Sequence, residues 1–334
     1  MKYSVSPFSC SGRRGLASPA CSSGPAKVSR NPSGLDRRQF LGTSAACLAA
    51  AGWTWTARAD EAQPQLAKII VGAHPWVYAA TQPQYDIYPI LDRIFADMRY
   101  AGLDGIELMH TALYPEDAVA RIKALSAEHQ LPVIGTSYGA ALWDRQQTNA
   151  VLENAAMVID RLAQVGGRTL GISVGDPGRK KTPDEFDCQA DVLRNIQGLC
   201  RRQGVVPNLH NHTYEVRDEQ HDLRGTLARI PDFPLGPDLN WLVRGGVDPV
   251  EFIRQHKRQI VFLHLRDQTA AGRWSEALGE GDMDYAAIAA ALREVGFTGD
   301  AVIELAHERD FQPTRPLRES LKISREFVRR VLGW

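Results

Sequence analysis

From residue 68 onward one unit repeats along the chain: a short apolar run, a polar loop, an amphipathic stretch, a glycine, and then the next apolar run. Eight such runs fall at 68–73, 105–109, 132–137, 169–174, 205–210, 234–239, 260–265 and 301–305. Runs this short and this continuously apolar fit strands buried on both faces, the situation that parallel pairing with helical crossovers creates. Between them the apolar residues recur at helical spacing. Leu91, Ile94, Phe95, Met98 and Ala101 share one face before Gly102, and Val151, Leu152, Ala155, Val158, Ile159, Leu162 and Val165 repeat the pattern before Gly166. A glycine directly after the last periodic residue is a helix stop. Eight strands alternating with helices is the count that closes a (β/α)8 barrel of about 250 residues. A doubly wound open sheet is the competitor, but it calls for a glycine-rich phosphate loop after the first strand. The chain has Gly72-Ala73-His74-Pro75-Trp76 there. The expected fold is therefore α/β, a single (β/α)8 TIM barrel over 68–334.

Several runs stop at a group that can bind a metal. His210 ends the fifth, Asp238 the Phe233-Pro234-Leu235-Gly236-Pro237 run, His264 the Ile260-Val261-Phe262-Leu263 run, and Glu304 the Ala301-Val302-Ile303 run. Strand C-termini of such a barrel form one mouth, so groups far apart in sequence meet there. Nitrogen and carboxylate oxygen together suit Mn, Zn, Co or Fe rather than an all-oxygen calcium site. Read alone, His264 is equally well a core histidine with a partner, and Asp238 a cap for the loop to Trp241. Read together, four polar groups at one mouth would each cost about 1–3 kcal/mol without a partner.

The first 59 residues differ in kind. They are rich in Ser, Pro and Gly and lead through Arg37-Arg38-Gln39-Phe40-Leu41 and an Ala/Gly/Leu/Trp stretch to Ala57-Arg58-Ala59. Twin arginines, a short apolar stretch and a small-x-small site read as a twin-arginine (Tat) export signal over 1–59, followed by a linker over 60–67. The expectation is cleavage after Ala59, engagement of the Tat machinery, a periplasmic or otherwise extracytoplasmic location, and no membrane attachment afterwards. The alternative is a basic tail with an anchor, but the apolar stretch is shorter than the ~20 residues a spanning helix needs. The leader holds eight of the 39 basic and one of the 39 acidic residues, which leaves 31 against 38, a net charge of −7. A nucleic-acid partner is not expected at that charge. Of five cysteines only Cys188 and Cys200 follow the leader, out of phase on one helix, so no disulfide is expected.

The phrases Leu209-His210-Asn211-His212-Thr213-Tyr214-Glu215, Asp238-Leu239-Asn240-Trp241 with Gly245-Gly246-Val247-Asp248-Pro249, His264-Leu265-Arg266-Asp267, Gly279-Glu280-Gly281-Asp282-Met283-Asp284-Tyr285 and Ile303-Glu304 together resemble the sugar phosphate isomerase/epimerase family. That family has the xylose isomerase-like TIM barrel, shared with ketose 3-epimerases, inosose dehydratase and, more distantly, endonuclease IV. The resemblance covers about residues 68–330. It implies a divalent metal, often manganese, with Asp238, His264 and Glu304 as three ligands. The epimerases place a glutamate at the end of strand five, where this chain has His210; His210 is the fourth ligand by position, with Glu215 as the substitute. They also carry a histidine three residues after the strand-six aspartate, where this chain has Trp241.

With a ketone and its neighbouring hydroxyl held by a divalent cation, the C–H between them becomes acidic, and a base that removes the proton leaves an enediolate. His212, Glu215 and Glu107 are the candidate acids and bases; the bland readings are support for a ligand, a helix start and a pairing with Arg266. Arg266, Asp267, Trp241 and Trp76 are candidate substrate contacts, with loop pairing and packing as the bland readings. His74 and His110 read as structural, and Gly279-Glu280-Gly281 as a turn or a close approach of backbone to substrate. The expected activity is isomerisation or epimerisation of a non-phosphorylated keto-sugar, polyol or cyclitol. A metal-dependent dehydratase or lyase on an oxidised sugar or inosose is the nearest alternative, and a non-catalytic carbohydrate-binding barrel the alternative of another class. Oligomeric state is left open, a homo-oligomer included.

Overall fold

The computed structural model describes residues 68–334. The expected export signal and linker, with Arg37-Arg38 and Ala57-Arg58-Ala59, lie outside the described residues. Seven strands are regular: β1 (Val71–Ala73), β2 (Gly105–Met109), β3 (Val133–Gly139), β4 (Thr169–Ser173), β5 (Val206–Leu209), β6 (Phe262–Leu265) and β7 (Asp300–Ile303). They form one parallel sheet in the order β5-β4-β3-β2-β1-β7-β6, so the first strand lies between the second and the last and the sheet curls on itself.

The remaining gap lies between β5 and β6, and the apolar run at 234–239 fills it. Here the expectation of eight regular strands needs correction. Leu235 bridges Leu209 on one side and Ile260 on the other, and Asp238 bridges His264, without a continuous ladder. Pro234 and Pro237 carry no N–H, so the donors of a full ladder are missing. Leu235 N still donates to Gln259 O at 2.8 Å, Gly236 N to Leu209 O at 2.9 Å, and His264 N to Pro237 O at 3.0 Å. The segment therefore holds the β5 and β6 edges together and brings Asp238 level with His264.

Ten α-helices occur among the described residues: α1 (Trp76–Ala79), α2 (Leu91–Tyr100), α3 (Ala118–His129), α4 (Thr148–Gln164), α5 (Pro183–Gln203), α6 (Thr213–Leu227), α7 (Leu239–Arg244), α8 (Pro249–Gln255), α9 (Tyr285–Glu294) and α10 (Leu317–Val331). Each longer helix buries the stripe its sequence marks out; in α2 these are Leu91, Ile94, Phe95 and Met98. α5 starts at a capping box in which the Thr182 hydroxyl accepts from Glu185 N and the Glu185 carboxylate accepts from Thr182 N, with Pro183 in the first turn. It stops at Gly204, whose φ of 67° only glycine adopts freely. α6 is interrupted at Arg217–Gln220, where Asp218, Glu219 and Gln220 are left-handed. One apolar core joins the strands' outward side chains to the helices, and no helix among the described residues is long and apolar enough to cross a membrane.

Candidate metal centre

His210 directly follows β5, Asp238 ends the bridging segment, His264 lies in β6 and Glu304 directly follows β7. These are four neighbouring positions around the barrel, and ligand atoms of all four lie within 4.8 Å of one another, buried. Asp238 divides its work. Its Oδ1 accepts from Asn240 N at 2.9 Å and Trp241 N at 3.0 Å, capping α7, while Oδ2 is buried with the Arg266 guanidinium 3.2 Å away. The cap and the ligand candidate are thus the same residue, one oxygen each. Asn211 pins the Asp238 backbone from β5's end, Oδ1 accepting from Asp238 N at 3.1 Å and Nδ2 donating to Asp238 O at 3.3 Å.

His264 Nδ1 lies 2.7 Å from Glu304 Oε2. Burial works to lower the His264 pKa, but Glu107 and then Glu304 push it up to about 10. Burial would raise Glu304, yet the Arg266 guanidinium holds it well below the usual carboxylate range. Burial, reinforced by His264 and His212, keeps the His210 pKa well below the ordinary imidazole value, and its Nδ1 is buried without a partner. A neutral imidazole with a free ring nitrogen and an ionised carboxylate are donor states a cation needs. The four residues fit a divalent cation bound through nitrogen and oxygen.

A second ring of charge surrounds them. Arg266 Nη2 lies 2.6 Å from Glu304 Oε1 and 3.2 Å from Asp238 Oδ2. Its guanidinium carbon sits 5.3 Å from the Trp241 ring centre and 5.5 Å from that of Trp274. Glu107 does not pair with Arg266 as the bland reading had it: its Oε2 faces His264 Nε2 at 3.2 Å. His74, read as structural, borders the centre, with Nδ1 3.6 Å from Glu304 Oε1 and Nε2 2.9 Å from Ser137 Oγ.

The remaining candidates separate. His212 lies at the edge of the centre, its ring 5.0 Å from that of His210 and 5.8 Å from that of Trp241, its side chain 42% exposed. Glu215 lies behind it, 4% exposed, accepting from His212 N at 2.7 Å and lining a small cavity with His210, Asn211 and Asp222. Burial, with Asp222 nearby, raises its pKa to about 8. Asp267 differs from expectation. Its oxygens accept from Gln268 N, Gly279 N, Gly281 N and Met283 N at 2.8–3.2 Å, a tie within the loop after β6 rather than a free group at the mouth. A Cβ on Gly281 would stand 2.3 Å from Asp267 Oδ1, so the missing side chain there lets the backbone approach Asp267. Trp76 stacks on Tyr85, ring centres 5.4 Å apart, and packs against the core. His110 Nδ1 donates to Ser137 O at 3.2 Å.

Sequence reasoning misjudged one residue that the fold brings here and passed over two. His74 ends the first apolar run as the ligands end theirs, a signal that was available. Ser173 Oγ approaches His212 Nδ1 at 3.4 Å, and Trp274 is fixed by Nε1 donating to Asn240 Oδ1 at 3.0 Å; neither carries a sequence mark.

The family model described as xylose isomerase-like TIM barrel matches residues 95–327. Inosose dehydratase of Geobacillus kaustophilus (strain HTA426) is 24% identical over 174 residues, 46% of this chain and 55% of that protein, so the chain spans about half the length of that curated relative. Among solved structures, an L-ribulose 3-epimerase matches with a TM-score of 0.65 at 21% identity, over 80% of this chain and 95% of that one. The 3-keto-D-glucoside 4-epimerase YcjR of E. coli, in its apo form, matches with a TM-score of 0.58 at 18% identity, over 78% of this chain and all (100%) of that one. At these identities the structural likeness shows the fold.

Proposed function

The chain belongs to the xylose isomerase-like TIM barrel family, and on that premise we propose that it is a divalent-metal-dependent isomerase or epimerase of a non-phosphorylated keto-sugar, polyol or cyclitol, working through an enediolate. One observation carries the reading: the buried convergence of His210, Asp238, His264 and Glu304. These four hold the cation, with manganese first among Mn, Zn, Co and Fe. The bound cation supplies positive charge against the two substrate oxygens on which negative charge grows as the proton leaves carbon. Arg266, fixed between two carboxylates and two tryptophans, orients a substrate oxygen at the same edge. His212 takes the proton. Desolvation and then Arg266 lower its pKa against the pull of Glu304, so it is neutral and able to accept. Glu215, protonated around neutrality, stands behind His212 as a proton store.

The neighbours named above as epimerases support this outcome, and the inosose dehydratase similarity with Trp241 at the epimerases' histidine position supports the second reading, elimination of a β-substituent from the same enediolate. The full donor set argues against a non-catalytic barrel. Purified protein incubated with candidate keto-sugars in deuterated buffer tests both readings. Deuterium at the carbon beside the carbonyl with mass otherwise unchanged supports epimerisation, and loss of water supports the dehydratase. No exchange by the manganese-loaded protein with any keto-sugar or inosose defeats both. We further propose export through the Tat machinery to an extracytoplasmic site, which favours substrates without a phosphate ester.

A further inference from the structure

Glu107 is the charged residue of an otherwise apolar strand. In β2, Ile106 and Leu108 point outward into the core, and Glu107, between them, points into the barrel. It is 0% exposed and neither carboxylate oxygen has a hydrogen-bond donor in place. A buried carboxylate is costly unless something charged or polar answers it. Arg266 pairs with Asp238 and Glu304 rather than with Glu107. The group that faces Glu107 is the His264 imidazole, 3.2 Å from its Oε2 through Nε2, and that same ring presents Nδ1 to Glu304 at 2.7 Å.

We propose that Glu107 is a positioning residue that acts through His264: it accepts the Nε2–H, which fixes the ring's tautomer and leaves the Nδ1 lone pair for the cation. This rests on the metal reading above. A carboxylate behind a ligating histidine orients the ring and raises its basicity.

The test compares the purified protein with Glu107→Gln, which keeps an acceptor of the same shape and drops the charge, and Glu107→Leu, which drops both. Mn2+ affinity is measured by calorimetry, and the His264 tautomer by 15N chemical shifts of the Zn2+-loaded protein. The expected result is a loss of affinity of about tenfold for Glu107→Gln with the Nε2–H tautomer retained, and about 100-fold for Glu107→Leu with the tautomer no longer fixed. In a His264→Gln background the Glu107→Leu penalty should shrink to within about threefold, because the route of action is gone. If Glu107→Leu fails to fold, the Glu107→Gln penalty, measured with and without His264→Gln, carries the test in its place. Parental affinity in both Glu107 variants, or an undiminished penalty in the His264→Gln background, overturns the proposal while leaving the metal reading intact. A parent protein that binds neither Mn2+ nor Zn2+ overturns both.

Discussion

His212 and Glu215 are three residues apart, yet their surroundings pull them in opposite directions. His212 is partly exposed and neutral, whereas Glu215 is buried with its pKa raised to about 8. His212→Ala should keep its metal and slow solvent-proton exchange at the carbon beside the carbonyl by on the order of 100- to 10,000-fold, the range a positioned base contributes. Exchange at the parental rate in a metal-loaded His212→Ala protein would move the base elsewhere. Glu215 makes a separate prediction about stability. Its folded pKa lies above the unfolded value, so its contribution is fully present below about pH 4.5 and is lost as pH rises through about 8, with a slope of at most ~1.4 kcal/mol per pH unit. Glu215→Gln should flatten the fall in stability between pH 5 and 8 in urea titrations. A profile as steep as the parent's would mean that Glu215 ionises in the fold as it does in the unfolded chain.

At the scale of elements, the placement of α6 matters because the helix begins straight after His212. A buried ion pair ties it to the loop before α5. Lys181 Nζ, with its side chain 0% exposed, lies 2.6 Å from Asp222 Oδ2 and donates to Gln189 Oε1 at 2.8 Å. Gln189 in turn donates to Thr226 Oγ1 at 2.6 Å, so α5 and α6 share the network. Removing one member strands a buried charge, whereas replacing both leaves none. Asp222→Ala should therefore cost about 3–5 kcal/mol, and Lys181→Met with Asp222→Leu should recover most of it. Equal losses in the single and double variants, read from urea midpoints, would show that packing rather than charge sets the cost.

For the whole molecule, the proposed export signal and the barrel make distinct demands. Twin-arginine export carries folded proteins, which suits a centre loaded with metal beforehand, and Arg37-Arg38 with Ala57-Arg58-Ala59 motivates the prediction. Mass measurement of the protein recovered from its native host should give a chain beginning at Asp60, found outside the cytoplasm. A cytoplasmic product that retains Arg37 would remove both the export proposal and the argument from it against phosphorylated substrates.

The sequence by itself determined the periodic alternation of strands and helices and the polar residues at the strand ends, because both follow from local hydrophobic pattern. A parallel barrel necessarily gathers those ends at one mouth, so the group formed by His210, Asp238, His264 and Glu304 was legible before any coordinates. Other features needed the fold. Two prolines in 234–238 reduced an expected strand to bridges, since a missing N–H matters only where a neighbouring strand asks for it. Asp267 turned to the backbone of its own loop, and Glu215 receded behind His212, because several donors or one cavity there could be satisfied only in three dimensions. His74 joined the centre because β1 closes against β7, and Glu107 came to face His264 because inward side chains of distant strands meet only once the barrel has closed. Local pattern decides which residues point inward; closure of the barrel decides which of them meet.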